Sequence, residues 1–147
     1  MGEFSRDEFS QGMREMGVSS VEEIHAALPR LRADLSDAVF FRKLYCWAFG
    51  FSVPKGQKFL QIDHAIELCR VLMAGQGYKH LDAWCDFLRE HYKRPMNKDN
   101  WQMFYDFTRT VKDDFSNFDP EDSSWPNLID DFVSHMTGNA PAKTSLI

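Results

Sequence analysis

The strongest constraint on this chain is a recurring unit: a helix-start signal, then apolar residues three and four apart, then a glycine or proline stop. Ser5-Arg6-Asp7-Glu8 opens the first. A serine at the cap with a glutamate three residues on can satisfy two orphaned amides reciprocally, and Phe4 and Phe9 stand at the spacing of a hydrophobic staple. Phe9, Met13 and Met16 continue the stripe, and Gly17 supplies the stop. Ser20-Val21-Glu22-Glu23 opens a second, short helix with Val21, Ile24 and Leu28 on one side. Pro29 ends that helix or starts the next, which carries Leu31 and Leu35.

The pattern continues. From about Asp37 to Phe51 the chain is apolar on several faces, with Val39, Phe40, Leu44, Tyr45, Trp47, Ala48 and Phe51, which predicts a central and mostly buried helix. A helix from about Asp63 to Ala74 places Ala65, Ile66, Cys69, Leu72 and Met73 inward, and Gly75 and Gly77 break it. Another, from about Leu81 to Tyr92, turns Leu81, Trp84, Cys85 and Leu88 inward and ends at Lys93-Arg94-Pro95. Asn97 caps a helix from about Lys98 to Lys112, striped by Trp101, Phe104, Tyr105, Thr108 and Val111. The last starts near Pro126, with Ser124 or its neighbour as cap and Leu128, Ile129, Phe132, Val133 and Met136 inward. No alternating strand of useful length and no fixed repeat is found. The expectation is an all-α, single compact domain of about seven helices over residues 2–136, with a flexible tail over 137–147.

At 147 residues, 44% hydrophobic, the chain can build a substantial core, and thirteen Phe and four Trp are too many for a disordered one. No apolar run is long enough to span a membrane. The N-terminus turns polar at Glu3, so no secretory leader is expected. Cys46, Cys69 and Cys85 each lie in an apolar pattern and read as buried, reduced thiols of a nuclear or cytosolic protein. A net charge of −5 argues against nucleic-acid binding.

A search for catalytic chemistry is mostly empty. No two cysteines stand at zinc spacing, and His80, Cys85 and His91, five and six residues apart, share no helix face well. Asn117, Asp119 and Glu121 alternate like the start of a calcium loop, but Asp122 stands where the turn glycine belongs and Leu128 where the bidentate Glu belongs. No nucleophile elbow, phosphate loop or dinucleotide glycine motif occurs. What remains is acidity: Asp113, Asp114, Asp119, Glu121, Asp122, Asp130 and Asp131 fall in a stretch without Lys or Arg, and Asp99 starts the preceding helix. Such a stretch is a solvated face or a docking patch for a basic partner.

Lys98-Asp99-Asn100-Trp101, Asp114-Phe115-Ser116-Asn117-Phe118-Asp119 and Trp125-Pro126-Asn127-Leu128-Ile129-Asp130-Asp131-Phe132-Val133 resemble the C-terminal signature of the defective-in-cullin-neddylation family, whose shared region is the potentiating-neddylation (PONY) domain. Glu3-Phe4-Ser5, Glu8-Phe9, Gly12-Met13 and Gly56-Gln57-Lys58 are also similar to it, so the resemblance runs from about Glu3 to Val133. It implies a helical, non-catalytic co-ligase that holds a cullin winged-helix domain beside the neddylation conjugating enzyme and needs no cofactor, metal or scaffold cysteine. The positions matching the family's cullin-contacting acidic patch are Asp99, Ser124 and Asp130, with Ser124 replacing the usual alanine. Phe4, Phe51 and Val71 resemble parts of the pocket for the N-acetylated terminus of the conjugating enzyme. Family members carry further helices before the Glu3-Phe4 region, so part of that pocket's wall is expected to be absent, leaving Phe4 and Phe9 less covered. The alternative is a fragment that binds cullin only. The polar N-terminus and the reduced thiols lead to the expectation of a place in the nucleus and cytoplasm.

Overall fold

The computed structural model describes residues 2–121 and 124–138. Among these residues are seven α-helices and one two-stranded ladder, in two compact units, Met1–Ser52 and Val53–Ile147.

The first unit holds α1 (Arg6–Met16), α2 (Val21–Asp34) and α3 (Ala38–Ser52). The capping box of α1 is complete: Glu8 N donates to Ser5 Oγ at 3.2 Å, and Ser5 N donates to Glu8 Oε2 at 2.7 Å. Gly17 ends the helix at φ +69, a conformation in which an L side chain is strained. The second box forms with a shift of one residue. Ser20 Oγ accepts from Glu23 N, but the Glu23 carboxylate reaches back to Ser19 N and Ser19 Oγ, at 2.6 and 2.9 Å. Pro29 neither ends α2 nor starts a helix; it lies inside. A proline there leaves the carbonyl of His25 without its helical donor. Both residues are exposed, so water can supply the missing partner.

In α3 the buried side is Phe41, Tyr45, Ala48, Phe49 and Ser52. Val39, Phe40 and Trp47, expected inward, are exposed at 66%, 48% and 59%. A helix apolar on several faces gives no phase information, so the sequence pattern does not reveal which face is covered.

The second unit carries β1 (Phe59–Leu60), α4 (Ile62–Met73), α5 (Leu81–Phe87), β2 (Met96–Asn97), α6 (Lys98–Thr110) and α7 (Asn127–Thr137). Its core is aromatic. Trp84 of α5 stacks on Phe104 of α6 at 4.0 Å, and Phe132 of α7 meets the Trp84 ring edge-on at 5.0 Å. The helix expected to run unbroken to Tyr92 changes type: residues Leu88–Tyr92 form a π-helical turn, closed by Lys93 N donating to the Leu88 carbonyl at 3.0 Å. Lys93 then takes a left-handed φ of +53, and the chain reverses into β2.

The ladder is too short to count against the all-α class. β1 and β2 pair antiparallel, Phe59 with Asn97 and Leu60 with Met96. Two residues per strand are too few to show an alternating pattern, yet Leu60 and Met96 are both 1% exposed. The ladder fixes Asn97, and with it the start of α6. The tail expected after Thr137 lies, beyond Gly138, outside the described residues.

Candidate functional site

Asn97 caps α6 by accepting the Asn100 amide at 2.7 Å, so the first turn of that helix is held where β2 delivers it. Asp99 stands exposed in that turn, where the helix dipole favours a carboxylate. Asn100 turns inward, and its Nδ2 donates to the Tyr92 hydroxyl at 3.2 Å.

The start of α7 supplies the second acidic element. Asp130 is only 3% exposed, whereas Asp131 beside it faces solvent. Of this pair it is therefore Asp131 that offers a carboxylate directly to an incoming group. Partial burial, and then the negative charge of Asp130, push the Asp131 carboxyl above the usual carboxylate range, with Arg94 opposing them. Ser124 is exposed ahead of the helix, and the cap position itself is held by Pro126, which has no side-chain cap hydrogen bond.

The π-helical turn and the starts of α6 and α7 surround a groove of about 540 Å3. Phe87 and Leu128 supply its apolar part. His91 and Tyr92 enter from the turn, Arg94 from the segment after it, Asn100 from α6, Asn127 and Asp131 from α7. The immediate neighbours of Asp99 and Asp130 thus share one cavity; Ser124 does not line it. Sequence reasoning missed this groove because the residues of the turn carry no motif.

Much of the acidic stretch before α7 is engaged within the chain. Lys79 Nζ pairs with Asp113 at 2.9 Å. Asp114 accepts the Ser116 amide and Asp119 the Glu121 amide, and the first of these bonds holds the Asp114 carboxyl below its usual range. Asn117 bridges the Lys112 amide and the Thr110 carbonyl. The calcium-like alternation is therefore a set of turn contacts. Asp122 lies outside the described residues.

The first unit has an apolar groove of its own, of about 610 Å3. Phe4 stacks on Phe9 at 6.0 Å and on Phe51 at 6.5 Å, and Trp47 stacks on Phe51 at 4.8 Å. Met13 and Met16 continue the lining, and Glu3 and Glu8 also border the groove. Phe4 and Phe51 both line this groove, and Phe4 and Phe9 are 61% and 52% exposed. Val71 belongs to the second unit and is 77% exposed on α4.

Among the described residues no three His, Cys, Asp or Glu side chains gather to hold an ion. No described helix is long and apolar enough to cross a membrane. His80 bonds the Asp113 carbonyl through Nε2 at 2.7 Å and stacks on Phe115, while His91 lines the polar groove. Cys69 and Cys85 are buried, but Cys46, read as a core position, is only half-buried. The hydrogen bond with Cys85, and then burial, push the Cys69 thiol well up, which keeps it protonated and a poor nucleophile.

Comparison with known proteins shows the family. The family model described as cullin binding matches residues 23–135, a segment that includes Phe51, Val71, Asp99, Ser124 and Asp130 but not Phe4. DCN1-like protein 5 of Homo sapiens is 35% identical over 133 residues, 90% of this chain and 55% of that protein. DCN1-like protein 4 of Danio rerio is 35% identical over 133 residues, 90% of this chain and 47% of its own length. Defective in cullin neddylation protein 1 of Yarrowia lipolytica is 31% identical over 144 residues, 92% of this chain and 57% of its own. The chain spans about half the length of these relatives. From its matched segment and its all-helical fold, the chain belongs to the cullin-binding family.

Proposed function

We propose that this chain acts in cullin neddylation as a non-catalytic scaffold. It binds the winged-helix domain of a cullin through the region of Asp99, Ser124 and Asp130, and the conjugating enzyme through the apolar groove at Phe4 and Phe51, with Val71 as a further contact. The observation that carries the reading is the family match over residues 23–135, which contains the acidic helix starts. Asp99 is the exposed carboxylate for a Lys or Arg of the cullin. The buried Asp130 adds to the local negative field. The apolar groove suits a small, uncharged, acetylated terminus. The scaffold accelerates transfer by raising the effective concentration of two bound reactants and orienting them, so none of its own groups attacks. Its three free cysteines suit the reducing nucleus and cytoplasm, where we place it.

The test is a reconstituted transfer of the ubiquitin-like modifier from the conjugating enzyme to a cullin lysine. Wild-type chain should accelerate it, and Asp99→Ala and Phe4→Ala should each reduce the gain. A chain that binds cullin but slows transfer is the binding-only alternative. No binding and no effect on the rate would refute both.

A further inference from the structure

Two buried thiols of the second unit have no part in the proposed scaffold. Cys69 of α4 and Cys85 of α5 are 1% and 0% exposed, and both are free. They face each other, and the Cys69 thiol donates a hydrogen bond to the Cys85 sulfur. The residue after Cys69 holds the two helices in that register. Arg70 Nη1 lies 3.4 Å from Asp82 Oδ1 and Nη2 lies 3.9 Å from Asp86 Oδ1, on either side of Cys85 in α5. Two buried donors beside the pair, the Tyr78 hydroxyl and Arg70 Nε, make no hydrogen bond. A buried donor left unpaired is costly. Next to a sulfur that becomes anionic or gains an oxygen, each has a use. Tyr78 and Arg70 both lie close enough to Cys69 to interact with it electrostatically, and Arg70 also acts on Cys85.

We infer that Cys69 and Cys85 are a modification site, a dithiol that a hydroperoxide closes to a disulfide between α4 and α5. Thiols already in hydrogen-bond contact need only a small movement to reach the S–S bond length of about 2 Å. Cys85 is the attacking group. The hydrogen bond from Cys69 holds its thiol below the ordinary value; burial opposes this and the Arg70 charge supports it. The Cys85 thiolate attacks one peroxide oxygen, the O–O bond breaks, hydroxide leaves, and Cys85 becomes a sulfenic acid. The thiolate that kept Cys69 protonated is then gone. Cys69 attacks the Cys85 sulfur and displaces its hydroxyl group, which leaves as water with the Cys69 proton. The two sulfurs lose two electrons in all, and the peroxide gains them. Access comes by local opening. α5 has seven residues and no side-chain cap at its start, and the connection before it carries exposed Gly75 and Gly77. A short helix without a cap opens at low cost. Thiol reductants reverse the bond.

The experiment treats the full chain with hydrogen peroxide in native buffer and again in urea. Remaining thiols are blocked, the chain is digested without reductant, and the peptides are mapped by mass spectrometry. In native buffer most of the chain should carry a Cys69–Cys85 link that dithiothreitol removes, with Cys46 recovered as a blocked thiol. Cys69→Ala should trap Cys85 as a sulfenic acid, read as its dimedone adduct, and Cys85→Ala should leave Cys69 a thiol. The link closes a short loop, so it should raise the melting temperature by about 5–10 °C. The wild-type map decides the matter even where a variant fails to fold. If the link forms only in urea, or if Cys46 is oxidised while the pair stays reduced, the inference is wrong. A linked chain that melts below the reduced one would show that the native packing does not admit the bond, and would overturn it as well.

Discussion

Removing the serine that opens α1 is a sensitive probe of how the apolar groove is held. None of the residues of α1 is buried, so tertiary packing protects this helix little and its cap matters more. Ser5→Ala deletes the hydroxyl that accepts the Glu8 amide at 3.2 Å but leaves the Ser5 backbone amide that donates to Glu8. Loss of a serine cap costs about 1 kcal/mol. At about 1.4 kcal/mol per decade, that corresponds to about a fivefold larger open population. Native-state hydrogen exchange should therefore show the α1 amides exchanging about fivefold faster, with those of α4 and α6 unchanged. Acid should have a related effect. The hydrogen bond to the Ser5 backbone amide, then that to its hydroxyl, holds the Glu8 carboxyl below its usual range. A depressed folded-state value means that this support is present above the unfolded pKa and is lost as pH falls through the folded one. Opening of α1 should thus grow below the ordinary glutamate range, in wild type and variant alike. Equal acceleration in all helices would mean that α1 belongs to the cooperative core; no acceleration in α1 would mean that the cap contributes nothing.

Two further substitutions test the second unit. Trp84→Ala empties a position that is 1% exposed and breaks the contacts with Phe104 and Phe132, so urea denaturation should show a loss of about 3–5 kcal/mol. Asp130→Arg forces a longer cation into a position that is 3% exposed, and circular dichroism during denaturation should show a loss of about 3 kcal/mol or more; a variant as stable as wild type would mean that the position opens easily to solvent.

The helices were legible because their signals are local. Ser5 with Glu8 and Asn97 with Asn100 are separated by three residues, and Gly17 acts on the turn directly before it. The stacking of Phe4 on Phe9 likewise follows from the staple spacing across the cap. What depends on distant neighbours was not legible. Trp47 and Tyr45 are equally apolar in pattern, yet one is exposed and the other fully buried, because the choice is made by what packs on α3. Pro29 reads as a boundary, but an exposed carbonyl one turn earlier lets the helix continue. In the candidate site, Asp99 could be placed by its cap. The difference between Asp130 and Asp131 could not, since adjacent residues on a helix differ in direction by about a quarter turn and the pattern cannot say which of the two meets solvent.

The wide turn at Leu88–Tyr92 also governs which changes of chain length the fold can accept. A π-helical turn is an α-helix with one residue inserted, closed here from Lys93 back to Leu88. Deleting a single residue from it would restore an ordinary helix and rotate everything downstream by about 100° in azimuth. Arg94 would leave its place, Met96 would miss Leu60, and α6 would begin out of phase with the strand that now delivers it. An exposed helix end is usually a place where a residue can be dropped without harm; in this chain it sets the phase of the half that follows.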